Sequence, residues 1–183
     1  HVTDDITAPV SSNTPAPNTR DYLTFQNIIF HSGTNACVSA SAGSTNLTFY
    51  RCAFFTYAGK MGIECGVSVD TNVALLIDSC EFWTAGAASI AFSVPTSTLA
   101  DYDFGAVVKN CIIICSNLAT RCSGSGANSF KGGGVILYNC FIFANIGVTT
   151  VNANSSTTYP TKIYNSVITA VTCLSANASG QIV

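Results

Sequence analysis

Residues 106–113 read Ala106-Val107-Val108-Lys109-Asn110-Cys111-Ile112-Ile113, and residues 135–142 read Val135-Ile136-Leu137-Tyr138-Asn139-Cys140-Phe141-Ile142. In both, apolar residues alternate up to an Asn, the phase resets there, and alternation resumes after it. That is the pattern of two short strands joined by a sharp bend. Four more segments follow it with modest variation: Leu23-Thr24-Phe25-Gln26-Asn27, Leu47-Thr48-Phe49-Tyr50-Arg51, Leu75-Leu76-Ile77-Asp78-Ser79 and Thr161-Lys162-Ile163-Tyr164-Asn165. The bend positions 27, 51, 79, 110, 139 and 165 stand 24, 28, 31, 29 and 26 residues apart. A self-similar period in the twenties is the signature of a solenoid.

Asn suits such a bend because its short amide tolerates the left-handed conformation, and stacked amides can hydrogen-bond from one turn to the next. The residues after the bends are Ile28, Cys52, Cys80, Cys111, Cys140 and Ser166, and two positions on stand Phe30, Phe54, Phe82, Ile113, Ile142 and Ile168. Both columns are expected to point inward. Second apolar segments carrying Cys37, Cys65, Cys122 and Cys173 follow, so eight of the nine cysteines fall into two columns, with Cys115 left over. No window has the capped 3.6-residue periodicity of a helix. The expectation is an all-β chain over residues 22–183: a right-handed parallel β-helix of about six coils, each of three short strands. Residues 1–21, with Pro9, Pro15 and Pro17, read as a linker or irregular lead-in. The strand-like tail from Ser175 to Val183 has no amphipathic cap, so the chain is expected to be part of a longer β-helix or to have its ends covered.

Composition narrows the function. Only 9% of residues are charged, against about 25% in ordinary domains, while 48% are hydrophobic and the formal charge is -2. A disordered segment and a basic nucleic-acid binder are thereby excluded. The run Cys111-Ile112-Ile113-Ile114-Cys115 is far below the roughly 20 residues of a membrane-spanning helix. Nine cysteines, an odd number set mostly within apolar runs, point to free buried thiols and to folding in a reducing cytoplasm.

The segments Lys109-Asn110-Cys111-Ile112-Ile113 and Tyr138-Asn139-Cys140-Phe141-Ile142 resemble the strand-bend-strand unit of the right-handed parallel β-helix superfamily, which includes pectate lyases, polygalacturonases and bacteriophage tailspikes. The resemblance spans about residues 22 to 183. It implies an architecture, since that coil serves lyases, hydrolases, adhesins and virion parts alike.

Carbohydrate cleavage is the sharpest enzymatic reading, and hydrolysis needs two carboxyls about 5–9.5 Å apart. Asp78 and Glu81 flank the third bend, with Arg51 one coil earlier and Lys109 one coil later; the competing reading is an exposed charge cluster. Asp101 and Asp103 sit in the insertion from Ser93 to Phe104, where an Asp-x-Asp suits a groove wall, a calcium ligand pair or a solvated turn. The clustered acids of the superfamily's lyases and the paired aspartates and Gly-His-Gly of its hydrolases are not matched. His31 reads as a surface or bend residue. Tyr50, Tyr138 and Tyr164 share an outward column that suits a sugar platform, a cover for neighbouring strands or a protein contact. Ile29, Ile112, Phe141 and Val167 form an outward apolar column, for which a lateral protein interface is the simplest cover. The cysteine spacings equal the coil period rather than a zinc-ligand spacing, so inward packing explains them, and no metal or cofactor is expected. Three N-x-[ST] matches, at Asn46, Asn154 and Asn177, are what chance allows in this composition.

The expectation is a non-enzymatic structural or adhesive module of a larger surface assembly resembling a phage tailspike, fibre or virion decoration. Its partners would be other protein chains and, in a second reading, a polysaccharide. The alternatives are a polysaccharide lyase or glycoside hydrolase, and a glycan-binding module without turnover.

Overall fold

The computed structural model describes residues 5–6, 10–11, 20–21, 24–32, 36–40, 44–45, 47–57, 61–65, 75–87, 90–95, 104–123, 134–151 and 161–176. These residues form parallel strands stacked into a β-solenoid, with no helix among them. Strands Thr24–Gln26, Leu47–Tyr50, Leu75–Asp78, Phe104–Lys109, Gly134–Tyr138 and Lys162–Tyr164 pair in that order into one six-stranded sheet, and they number the rungs 1 to 6 below. Each is followed by the bend foreseen in the sequence. Asn27, Arg51, Ser79, Asn110, Asn139 and Asn165 all have φ between 45° and 57°, the left-handed region that Asn tolerates better than other L-residues with a side chain.

The three-strand coil is built about three times rather than six. In rungs 1 to 3 a second strand (Ile29–Ser32, Ala53–Thr56, Glu81–Thr84) and a separate third strand (Val38–Ala40, Met61–Cys65, Ile90–Pro95) follow the bend. In rungs 4 to 6 the second and third strands are fused into long ones, Ile112–Ser123, Phe141–Val151 and Val167–Ala176. The corner survives there only as a register shift between Cys115 and Leu118, where the insertions that separate the strands in the first rungs are missing. Within residues 1–21, Asp5–Ile6, Val10–Ser11 and Arg20–Asp21 pair in parallel with Ile29–Phe30, Val38–Ser39 and Ser44–Thr45.

Alternation decides the interior. Phe30, Phe54, Phe82, Ile113 and Ile142 are buried in one column and Phe49, Ile77, Val108 and Leu137 in another. The Phe30, Phe54 and Phe82 rings stack at 4.9 and 4.6 Å between centroids, and Phe25 stacks on Phe49 at 5.1 Å. In-register parallel pairing places like side chains one rung spacing apart, about 4.8 Å, which is also a favourable ring separation. A third inward column, Ser32, Thr56, Thr84, Cys115 and Ala144, runs through small side chains, which explains the cysteine that fell outside the expected columns.

The column after the bend is as expected: Cys52, Cys80, Cys111 and Cys140 are buried free thiols. The second cysteine column is not a single one. Cys65 stands opposite Ala40, three positions beyond Cys37, and Cys122 stands opposite Thr150, whereas Cys173 lies between Thr172 and Leu174, the partners of Ile146 and Val148. Variable corner lengths shift the third strand in register, which a spacing count does not reveal. Cys37 is buried, whereas Cys173 is exposed on the last described rung, where no strand covers it.

Candidate functional site

Two outward surfaces meet along the row of bends. On the six-stranded sheet, the column next to the bends runs Gln26, Tyr50, Asp78, Lys109, Tyr138 and Tyr164. At its centre Lys109 Nζ lies 3.2 Å from Asp78 Oδ2. Asp78 Oδ1 accepts hydrogen bonds from Asn110 Nδ2 at 3.0 Å and from the Ser79 hydroxyl at 3.0 Å, and Asn139 Nδ2 donates to Asn110 Oδ1 at 3.2 Å. The amide ladder expected of stacked bends therefore ends on this carboxylate. Partial burial works against ionisation of Asp78, but the hydrogen bonds from Asn110, Ser79 and Lys109 and the lysine's charge outweigh it, holding the carboxyl below its ordinary value.

Glu81 sits on the other side of the bend at Ser79, on a strand of the second sheet. It stands in register with Ala53 and Ile112, and its Oε2 accepts a hydrogen bond from Trp83 Nε1 at 3.3 Å. Asp78 and Glu81 thus belong to different sheets. Arg51 occupies a bend, with its guanidinium 4.8 Å from the centre of the Tyr50 ring. Asp101, Asp103, Asn46, Asn154 and Asn177 lie outside the described residues.

The tyrosine column is interrupted. Tyr138 and Tyr164 stack on neighbouring rungs, with centroids 4.7 Å apart and planes 14° from parallel, while Asp78 and Lys109 separate them from Tyr50. His31 points outward and stacks on Phe55 at 4.9 Å.

On the second sheet the outward column is Ile29, Ala53, Glu81, Ile112, Phe141 and Val167. A second outward column, two residues further along each strand, is His31, Phe55, Trp83, Ile114, Phe143 and Thr169. Sequence reasoning found the first column and missed the second, although counting two further from each residue of the first would have found it. Trp83 and Ile112 are 42% exposed, Phe141 43%, Phe143 53% and Val167 57%. Five rung steps of about 4.8 Å by two columns, each a strip about 6.6 Å wide, make a mostly apolar footprint on the order of 300 Å². The largest apolar patch on a typical soluble monomer is about 300–600 Å² and is often functional.

Apart from the exposed Cys173, the thiols whose burial is described are buried. Burial pushes the Cys37 thiol up to about 12, only partly offset by a backbone hydrogen bond at Phe55. The four column thiols titrate together: Cys80 and Cys140 are lowered by S–H donors on their neighbours, and donating those bonds raises Cys52 and Cys111. Among the described residues, no three His, Cys, Asp or Glu converge on a common point. Nor is any helix among them long and apolar enough to cross a membrane. No protein-family model, curated protein or solved structure matches the chain.

Proposed function

We propose that the chain is a non-enzymatic structural or adhesive module of a larger surface assembly, of the kind represented by phage tailspikes, fibres and virion decorations. In this reading it folds in a reducing cytoplasm and is displayed on a virion or cell surface, with other protein chains as its partners. The observation that carries the proposal is the two-column apolar face from Trp83 through Ile112, Phe141 and Phe143 to Val167, whose side chains are about half exposed. A flat parallel sheet holds such side chains at fixed intervals with little entropy left to lose, which favours contact with a second rigid surface. The buried free thiols fit maturation away from an oxidising compartment.

Light scattering on the native protein tests this. The expected result is a species several times heavier than the 19.0 kDa chain. Phe141→Ser combined with Phe143→Ser should return it to the single chain with its β-sheet circular dichroism intact. A wild-type protein that stays at one chain mass with no added partner that binds this face would overturn the reading.

A second reading, a glycan-binding module without turnover, is favoured by the stacked Tyr138–Tyr164 pair, a ready platform for a sugar ring. It requires saturable oligosaccharide binding that Tyr138→Ala and Tyr164→Ala each weaken. A polysaccharide lyase or glycoside hydrolase requires acids converging in one groove, and Asp78 is already engaged by Asn110, Ser79 and Lys109. Cleavage of a polysaccharide by the purified chain would replace both non-enzymatic readings.

A further inference from the structure

The apolar face of the second sheet carries one charged group. Of the twelve outward positions in its two columns, Glu81 is the only Asp, Glu, Lys or Arg. It stands near the middle of the face, in register with Ile112 on the next rung and two residues before Trp83 on its own strand. Among the described residues its carboxylate accepts one hydrogen bond, from Trp83 Nε1 to Oε2 at 3.3 Å, and meets no cation. The bases one rung to either side are engaged along the other sheet: Lys109 Nζ lies 3.2 Å from Asp78, and the Arg51 guanidinium sits over the Tyr50 ring.

In the uncovered chain Glu81 is exposed and water solvates its charge. Covering the face removes that water, and a carboxylate buried without a counter-charge is strongly unfavourable. A cover that is apolar throughout therefore fits the neighbours of Glu81 and not Glu81 itself.

Trp83 narrows the choice of cation. Alternation puts its ring on the same side as Glu81, about 6.6 Å along the strand. The indole is 42% exposed, and its N–H bond to the carboxylate keeps ring and acid together. No described aromatic ring stacks on it, since its rung neighbour Phe55 stacks on His31. Arginine suits such a pair better than lysine, because a planar guanidinium can lie against an indole face while its edge hydrogen-bonds a carboxylate, and it is less strongly hydrated than an ammonium. Arg51 over Tyr50, at 4.8 Å, is an instance of the ring contact within this chain.

We propose that Glu81 and Trp83 form an arginine-binding subsite within the contact face, and that the partner is a protein surface presenting one arginine side chain among apolar residues. This rests on the reading of that face as a contact surface. Charge complementarity decides the occupant: a neutral glycan brings hydroxyls but no counter-charge, and an all-apolar protein surface brings neither.

The test compares the concentration at which the native assembly dissociates, followed by light scattering on dilution, in the wild type, Glu81→Gln and Glu81→Leu, with β-sheet circular dichroism as the check on folding. Removing the acid leaves the partner's arginine buried without its counter-charge, so both variants should dissociate at concentrations higher by about tenfold or more. The sign for Glu81→Leu is the discriminating result, because an apolar cover would gain from that change. A second arm works on the dissociated chain. Trp83 fluorescence is titrated with the peptide acetyl-Leu-Arg-Leu-amide and with its counterpart carrying neutral citrulline in place of arginine. The arginine peptide should bind saturably, the citrulline peptide about tenfold more weakly, and the difference should vanish in Glu81→Gln. An assembly that Phe141→Ser with Phe143→Ser dissolves but that Glu81→Leu leaves unchanged or tightens, or equal affinity for the two peptides, would overturn the subsite and leave the contact face standing. A wild-type chain that neither assembles nor binds either peptide would overturn both.

Discussion

Rungs 1 to 3 and rungs 4 to 6 are built from the same repeat but place their aromatic rings differently. In the first three, Phe25, Phe30, Phe49, Phe54, Phe82 and Phe92 pack in or against the core, and three separate strands wrap around them. In the last three, the inward positions hold Val108, Ile113, Leu137, Ile142 and Val148, while Phe141 and Phe143 are exposed on a fused, longer strand and Tyr138 and Tyr164 on the six-stranded sheet. The first half buries its phenylalanine columns internally and leaves only Trp83 and Tyr57 among its described aromatic rings strongly exposed. The second half fills its interior with smaller aliphatic groups and leaves aromatic area for something else to cover. A repeat thus fixes the coil, and the choice of which alternate position carries the ring decides whether a rung adds to the core or to a surface.

The largest effect that would break this comparison comes from the rings themselves. Phe54→Ala, which removes the middle of the stacked Phe30–Phe54–Phe82 column, should cost about 3–5 kcal/mol in chemical denaturation. Phe143→Ala should change the stability of the single chain by less than about 0.5 kcal/mol while weakening assembly. Similar losses of chain stability from both would erase the distinction.

Two glycines at the corner sharpen it. A methyl group on Gly62 would lie 2.5 Å from the Ala91 carbonyl oxygen and 2.9 Å from the Phe82 ring; on Gly147 it would lie 2.6 Å from both the Cys173 carbonyl oxygen and Ile168 Cγ2. Overpacking of this kind costs about 1–3 kcal/mol. Gly62→Ala should fall at the upper end, because its neighbours are held by rungs on both sides, and Gly147→Ala at the lower end, because Cys173 and Ile168 belong to the last described rung, which can shift. Thermal melts of the two variants should differ in that order.

The bends give a smaller effect. Asn110→Ala removes two ladder hydrogen bonds and puts Ala at φ 57°, for a cost of about 1–2 kcal/mol. Arg51→Asn should gain about 0.5–1 kcal/mol, since Arg51 holds φ 53° without that amide.

The smallest effect is that of acid. The folded-state value of Asp78 lies below its unfolded one, so its contribution is fully present above the ordinary carboxylate range and is lost as pH falls through the folded value. Asp78→Asn should therefore flatten part of the stability loss below about pH 4, by no more than about 1 kcal/mol, the scale of a partly exposed ion pair. An unchanged acid limb would remove Asp78 from the ladder's energetics.

The solenoid, the bends and the first two inward columns were legible because each rests on local alternation and on a residue type, Asn, tied to one backbone conformation. The third strand was not legible. Its register depends on corner insertions of variable length, so Cys37, Cys65, Cys122 and Cys173 looked like one column and are not. Tyr138 and Tyr164 were rightly placed in one column, and the same alignment of segments sets Asp78 and Lys109 between them and Tyr50, as the rung-by-rung pairing bears out. That Asp78 and Glu81 flank a bend was legible in the sequence, whereas their placement on two different sheets followed from the strand pairing.

Trp83 is the chain's single tryptophan and sits in the second outward apolar column, which makes it a reporter for the whole face. Acrylamide quenching of its fluorescence across a dilution series tests most directly whether that face is a contact surface. The account predicts that Trp83 is protected in the concentrated or assembled protein and becomes freely quenched on dilution, or in the Phe141→Ser, Phe143→Ser variant. Free quenching at every concentration, in native assembly and isolated chain alike, would contradict it.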